Sequence, residues 1–83
     1  MEHFIYVARC ADGSLYTGYA TDVARRIKEH NGEGPGIGAR YTSGRRPVKL
    51  VYTETFTDRS SAQKREAEIK KLNTIEKRRL IFS

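Results

Sequence analysis

The hydrophobic pattern changes period several times along the chain, and each change marks an element. Residues 3–10 carry apolar side chains at alternate and intervening positions alike: Phe4, Tyr6 and Ala8 on one face, Ile5 and Val7 on the other. That pattern predicts an interior strand covered on both sides. Ala11-Asp12-Gly13-Ser14 reads as a hairpin tip, and residues 14–20 return as a second strand. The loop length decides which side chains meet. A two-residue Asp12-Gly13 loop sets Tyr16 opposite Arg9, on the other face from Tyr6. A three-residue Ala11-Asp12-Gly13 loop, with Gly13 left-handed, sets Tyr16 opposite Ala8, so the two tyrosines share a face. Both loops are open to this sequence.

Helical periodicity begins next. Thr21 is the expected N-cap of a helix over 22–31 whose inward stripe is Val23 and Ile27. Arg26 and His30 flank that stripe one turn apart, whereas Arg25 and Glu29 are expected to point away. Residues 32–47 read as a glycine-rich loop without the Gly-Lys-Ser/Thr ending of a phosphate-binding loop. Its second half, Arg40 to Arg46, mixes cations with Tyr41 and suits either a sugar-phosphate strand or solvent. A third strand is expected over 48–52. A helix over 60–72 follows, with Ser60 and Gln63 spaced as a capping box. Its inward stripe is Ala62, Ile69 and Leu72, with Glu66 beside it and Lys64 and Glu68 outward. A last short helix over 74–82 is expected to close the core with Ile75, Leu80, Ile81 and Phe82. The order β-β-α-β-α-α predicts an α+β fold, a three-stranded antiparallel sheet flanked by helices.

Composition narrows the function. The chain has 83 residues, enough for one domain with a modest core, and no apolar run long enough to span a membrane. Its single cysteine, Cys10, excludes an internal disulfide and is expected to be a small buried residue in a reducing cytoplasm. A net charge of +6 favours nucleic acid as partner. Arg59, Lys64, Arg65, Lys70, Lys71, Lys77, Arg78 and Arg79 are half of the 16 basic residues and make a basic face, or simply a solvated one interleaved with Glu68 and Glu76.

Taken singly, each candidate residue has an ordinary structural role: strand tyrosines, a surface arginine, a histidine near a helix end, a glutamate paired with Lys70. Together, Phe4-Ile5-Tyr6 and Tyr16-Thr17-Gly18, then Arg26 and His30, then Arg45-Arg46-Pro47-Val48-Lys49-Leu50-Val51-Tyr52 and the run Ala62 to Leu72 around Glu66, resemble the GIY-YIG nuclease superfamily. These segments look like its short, single-domain bacterial UPF0213 group, over essentially the whole chain, 1–83. The resemblance implies hydrolysis of DNA phosphodiesters, in repair or recombination, with one divalent metal, Mg²⁺ or Mn²⁺. It implies catalytic roles for Tyr6, Tyr16, Arg26 and His30 and a metal ligand in Glu66. Arg40, Arg45, Arg46, Lys64, Arg65 and Lys70 are the residues expected to bind nucleic acid, DNA rather than RNA. Phe4 stands where the family has its first glycine and Thr17 where it has isoleucine. The late asparagine of several relatives has no secure counterpart, Asn73 lying too close to Glu66. With no appended domain, the chain is expected to be a monomer whose specificity is weak, shape-based or supplied by a partner protein. A nucleic-acid-binding module without efficient catalysis and a protein-interaction domain are the competing readings.

Overall fold

A computed structural model of the chain describes residues 1–33, 42 and 44–82. Strands β1 (His3–Arg9), β2 (Leu15–Ala20) and β3 (Lys49–Phe56) and helices α1 (Val23–His30), α2 (Arg59–Lys70) and α3 (Thr74–Phe82) follow the expected order. The sheet is antiparallel with spatial order β2-β1-β3. The strand with apolar residues on both faces is thus the central one. Tyr6 and Ala8 enter one buried cluster with Cys10, Ala20 and Val48, covered by Val23 and Ile27 of α1. Ile5 and Val7 enter the other, with Ala62 and Ile69 of α2 and Leu80 and Ile81 of α3. The phenol of Tyr6 therefore belongs to the α1 side.

Element ends depart from expectation for identifiable reasons. The N-cap of α1 is Asp22, not Thr21: its carboxylate accepts from the Arg25 amide at 3.0 Å. Likewise α2 starts at Arg59, because Asp58 accepts from the Ser61 amide at 2.7 Å and the Ser61 hydroxyl at 2.8 Å, and no Ser60–Gln63 capping box forms. Asn73 and Glu76 cap α3 reciprocally, each side chain accepting from the other's amide, at 3.0 and 2.9 Å. Asn73 is thereby accounted for as a helix cap. β3 runs past Tyr52 to Phe56, because polar Thr53, Glu54 and Thr55 pair with Tyr6, Ile5 and Phe4 of β1. Only Leu80 and Ile81 of α3 pack inward. Ile75 and Phe82, expected in the core, are 63% and 83% exposed.

Thr17 faces the α2 side, buried, and its hydroxyl has no hydrogen-bond partner among the described residues. A buried hydroxyl without a partner costs about 1–3 kcal/mol, and valine has nearly the same shape. Thr17→Val is expected to raise the unfolding free energy by about 1 kcal/mol, read as a higher denaturant midpoint at unchanged slope. A lower midpoint would show that the hydroxyl is satisfied in solution.

Candidate active site

The hairpin takes the longer of its two loops. Leu15 pairs with Arg9 and Tyr16 with Ala8. The tip is closed by the Cys10 amide on the Ser14 carbonyl at 2.9 Å and the Gly13 amide on the Cys10 carbonyl at 3.0 Å. Gly13 has φ +85°, the left-handed conformation that the three-residue loop demands. Asp12 stiffens the tip, accepting from the Ser14 amide and hydroxyl at 3.0 and 2.6 Å and from Arg45 Nε at 3.1 Å. Tyr6 and Tyr16 consequently share a face, their ring centroids 6.3 Å apart.

Gly18 sits opposite Tyr6 in the register, and the phenol ring lies directly over it. A Cβ at position 18 would stand 2.5 Å from both Cζ and the hydroxyl oxygen of Tyr6. The glycine is therefore required by the ring rather than by the backbone. Beyond the ring is His30, the last residue of α1. Tyr6 and His30 are 1% and 0% exposed, and the Tyr6 oxygen and His30 Nε2 share a hydrogen bond of 2.6 Å. The other ring nitrogen, Nδ1, lies 2.8 Å from Oγ1 of Thr42, itself fully buried. Tyr16 packs edge-on against the same imidazole, at 5.1 Å between centroids.

Arg26 completes the cluster from one turn earlier in α1. Its guanidinium interacts with the Tyr6 hydroxyl and donates to Glu29 Oε1 at 3.0 Å. Glu29 is the main correction here. Expected to face away, it is 8% exposed and paired with Arg25 at 3.4 Å and Arg26 at 3.0 Å. The carboxylate folds back along its own helix to the arginines three and four residues earlier and aims Arg26 at the phenol. That i,i+3 and i,i+4 spacing was the available signal.

The electrostatics divide the labour. Burial, with Tyr16 close by, pushes the Tyr6 phenol up to about 12 against the opposing pull of Arg26, and the Glu66 charge raises it further. Tyr6 is a neutral phenol at any working pH. Burial and then the Arg26 charge hold His30 below the ordinary histidine range, so it too is neutral.

Glu66 on α2 is close enough for its charge to be felt at Tyr6, is partly buried, and pairs with Lys70 at 3.2 Å. Among the described residues no three His, Cys, Asp or Glu side chains gather as a metal cage. One partly buried carboxylate suits a hydrated Mg²⁺-type ion, which keeps several waters and takes its remaining ligands from phosphate.

The expected nucleic-acid contacts are mostly engaged internally. Arg45 is tied to Asp12, and Arg46 Nε donates to the His30 carbonyl at 2.7 Å. Arg65 grips Glu54 through Nε at 3.0 Å and Nη2 at 3.1 Å, and pairs with Glu68 at 3.3 Å. Lys70 holds Glu66, Lys64 is exposed, and Arg40 lies outside the described residues. Asn31, which no motif marks, clamps the end of α1 to the residue that leads into β3, donating to the Val48 carbonyl at 2.9 Å and accepting from the Val48 amide at 2.7 Å. Thr42 is a further functional residue: nothing in the spacing of the glycine-rich stretch around it announces a histidine partner.

Known proteins resemble this chain in sequence and in fold. The family model described as the GIY-YIG catalytic domain matches residues 2–79. The UPF0213 protein of Desulfotalea psychrophila is 58% identical over 78 residues, covering 94% of this chain and 69% of that one. That of Natronomonas pharaonis is 52% identical, covering 96% of this chain and 91% of that one. The solution structure of the UPF0213 protein from Bacillus halodurans superposes with a TM-score of 0.61 at 47% identity, over 98% of this chain and 83% of that one. An Enterococcus-derived structure, EF2693 from E. faecalis, gives a TM-score of 0.61 at 41% identity, over 96% and 83%. GIY-YIG domains form a nuclease family acting on nucleic acid, typically with a divalent metal, and no helix among the described residues is long and apolar enough to cross a membrane. With phenol pair, glycine, arginine and histidine in these positions and relatives this similar over nearly its full length, the chain belongs to the GIY-YIG family, among its UPF0213 proteins.

Proposed function

We propose that this chain is a metal-dependent DNA endonuclease, cleaving phosphodiester bonds in repair or recombination in the cytoplasm. The observation that carries this reading is the convergence of Tyr6, Tyr16, Arg26 and His30 on one face of the sheet, within the field of Glu66. Each residue has a distinct task. Tyr6, buried and with its phenol raised to about 12, keeps its proton and anchors Arg26. Arg26, aimed by Glu29, presents a fixed cation to the charge that develops on the phosphoryl oxygens. Tyr16, on the same face but only partly buried, orients the attacking water and takes its proton. The water oxygen bonds to phosphorus as the P–O bond to the leaving strand breaks, and the leaving oxygen is protonated from solvent. His30 holds Tyr6. Glu66 would hold the Mg²⁺ or Mn²⁺, which supplies Lewis-acid stabilisation at the phosphate. The basic α2 and α3 surface, Lys64 and Lys71 included, gives sequence-independent attraction to the backbone.

The test is nicking of supercoiled, single-stranded and branched DNA in Mg²⁺ or Mn²⁺, with EDTA as control. Tyr16→Phe is expected to lower the rate about a hundredfold or more. A second reading, a binding module on this scaffold, draws support from the Lys70 ammonium already seated on Glu66. Salt-sensitive DNA binding without cleavage of any substrate would establish that reading instead.

A further inference from the structure

The Tyr6–His30–Thr42 chain has a direction, and donor counting supplies it. Arginine only donates, so the Arg26 guanidinium meets the Tyr6 oxygen at a lone pair. The phenol is fully buried, and its own hydrogen needs an acceptor. His30 Nε2 stands 2.6 Å away, within ideal reach. If Nε2 carried the imidazole proton, two donors would point at the phenol oxygen, and the phenol hydrogen would lose this acceptor. If Nε2 is bare, the proton of the neutral ring sits on Nδ1, which faces Thr42 Oγ1 at 2.8 Å.

We infer that Thr42 is a positioning residue for the site: its hydroxyl oxygen accepts from His30 Nδ1–H, which fixes the imidazole tautomer, so that Nε2 accepts from the Tyr6 hydroxyl and the Tyr6 oxygen faces Arg26. A threonine between α1 and β3 thereby decides which way the two buried hydrogen bonds of the imidazole run. It touches no substrate and acts through His30 and Tyr6 on the guanidinium. The site thus depends on a residue outside the two strands and two helices that supply its other parts. Serine keeps the accepting oxygen. Valine keeps the shape and removes it, so Nδ1–H would lose the Thr42 oxygen and the ring would favour its other tautomer.

The inference uses the nuclease reading only for its kinetic arm. The primary experiment records long-range ¹H–¹⁵N spectra of the full chain labelled at histidine, with His3→Gln separating the two histidines. Wild type and Thr42→Ser are expected to show His30 protonated at Nδ1 with bare Nε2, and Thr42→Val to show protonation moved to Nε2. In the nicking assay Thr42→Val is expected to lose about tenfold to a hundredfold, the scale of a displaced catalytic group, with Thr42→Ser restoring the rate. A wild-type His30 protonated at Nε2, or a Thr42→Val spectrum identical to wild type, overturns the inference. Should Thr42→Val fail to fold, the wild-type and Thr42→Ser tautomers decide it alone. The Nδ1–H tautomer in a chain that cleaves nothing would uphold the inference and remove the nuclease reading.

Discussion

Glu66→Ala is expected to give a folded protein whose metal-dependent nicking has fallen about a thousandfold, to near the level left by EDTA. The two halves of that result have separate causes. A carboxylate-held divalent ion contributes several kcal/mol of charge stabilisation at the phosphate, and about 1.4 kcal/mol is tenfold in rate. Stability is expected to change little, because Glu66 is only partly buried and its pairing with Lys70 is an i,i+4 surface contact. Such pairs contribute about 0.3–0.5 kcal/mol. Thermal unfolding and nicking, measured on one preparation, separate the two. Glu66→Gln keeps size and helix propensity while removing the charge, and is expected to lose nearly as much activity. Wild-type nicking by Glu66→Ala in Mg²⁺ would refute this residue as the metal ligand. An equal loss of stability and activity would mean that the carboxylate serves the fold instead.

The second large effect runs the other way, from packing into chemistry. Gly18→Ala is expected to lower the unfolding free energy by about 3 kcal/mol, at the upper end for overpacking a core, and to reduce nicking strongly even where the protein remains folded. The added methyl would stand 2.5 Å from Cζ and the oxygen of Tyr6 and 2.8 Å from Cε1. The ring cannot swing aside cheaply, being buried and bonded to His30. For a domain of this size, about 1 kcal/mol moves the melting temperature by roughly 4–8 °C, so the shift is easily read. Tyr6→Leu removes the far end of the ring. Gly18→Ala added to Tyr6→Leu is therefore expected to cost less than Gly18→Ala alone, a coupling of about 1–3 kcal/mol between contacting residues. Strict additivity in that cycle would show that Gly18 is needed for its backbone and not for the phenol.

The parts of the site readable in the sequence were those with a period or a family pattern behind them. Apolar residues on both faces placed β1 in the centre of the sheet, and helical spacing set Arg26 and His30 beside Val23 and Ile27. Gly13 serves either hairpin loop, so the sequence leaves the register open and the fold decides it. Glu29 departs from its helical-wheel position because the wheel assigns direction from Cα, whereas a glutamate is long enough to fold back onto Arg25 and Arg26. Thr42 leaves no trace in the sequence because the glycine-rich stretch around it carries no period. The caps lie one residue after Thr21 and two before Ser60, at Asp22 and Asp58, because aspartate competes with the hydroxyl residues for the same task. Hydrophobicity alone does not bury Ile75 and Phe82, and α3 keeps only Leu80 and Ile81 for the core.

The two tyrosines do not belong to equally durable parts of the molecule. Tyr6 is on β1, laddered to a neighbour on each side, while Tyr16 is on β2, laddered on one. Amide protons of a doubly paired, fully packed strand exchange only when the whole domain opens, whereas an edge strand can breathe by itself. The inner phenol, with His30 behind it, is then as persistent as the fold, and the outer phenol can detach for an instant and return to an undisturbed partner. Brief fraying at the rim would interrupt the site without erasing its template.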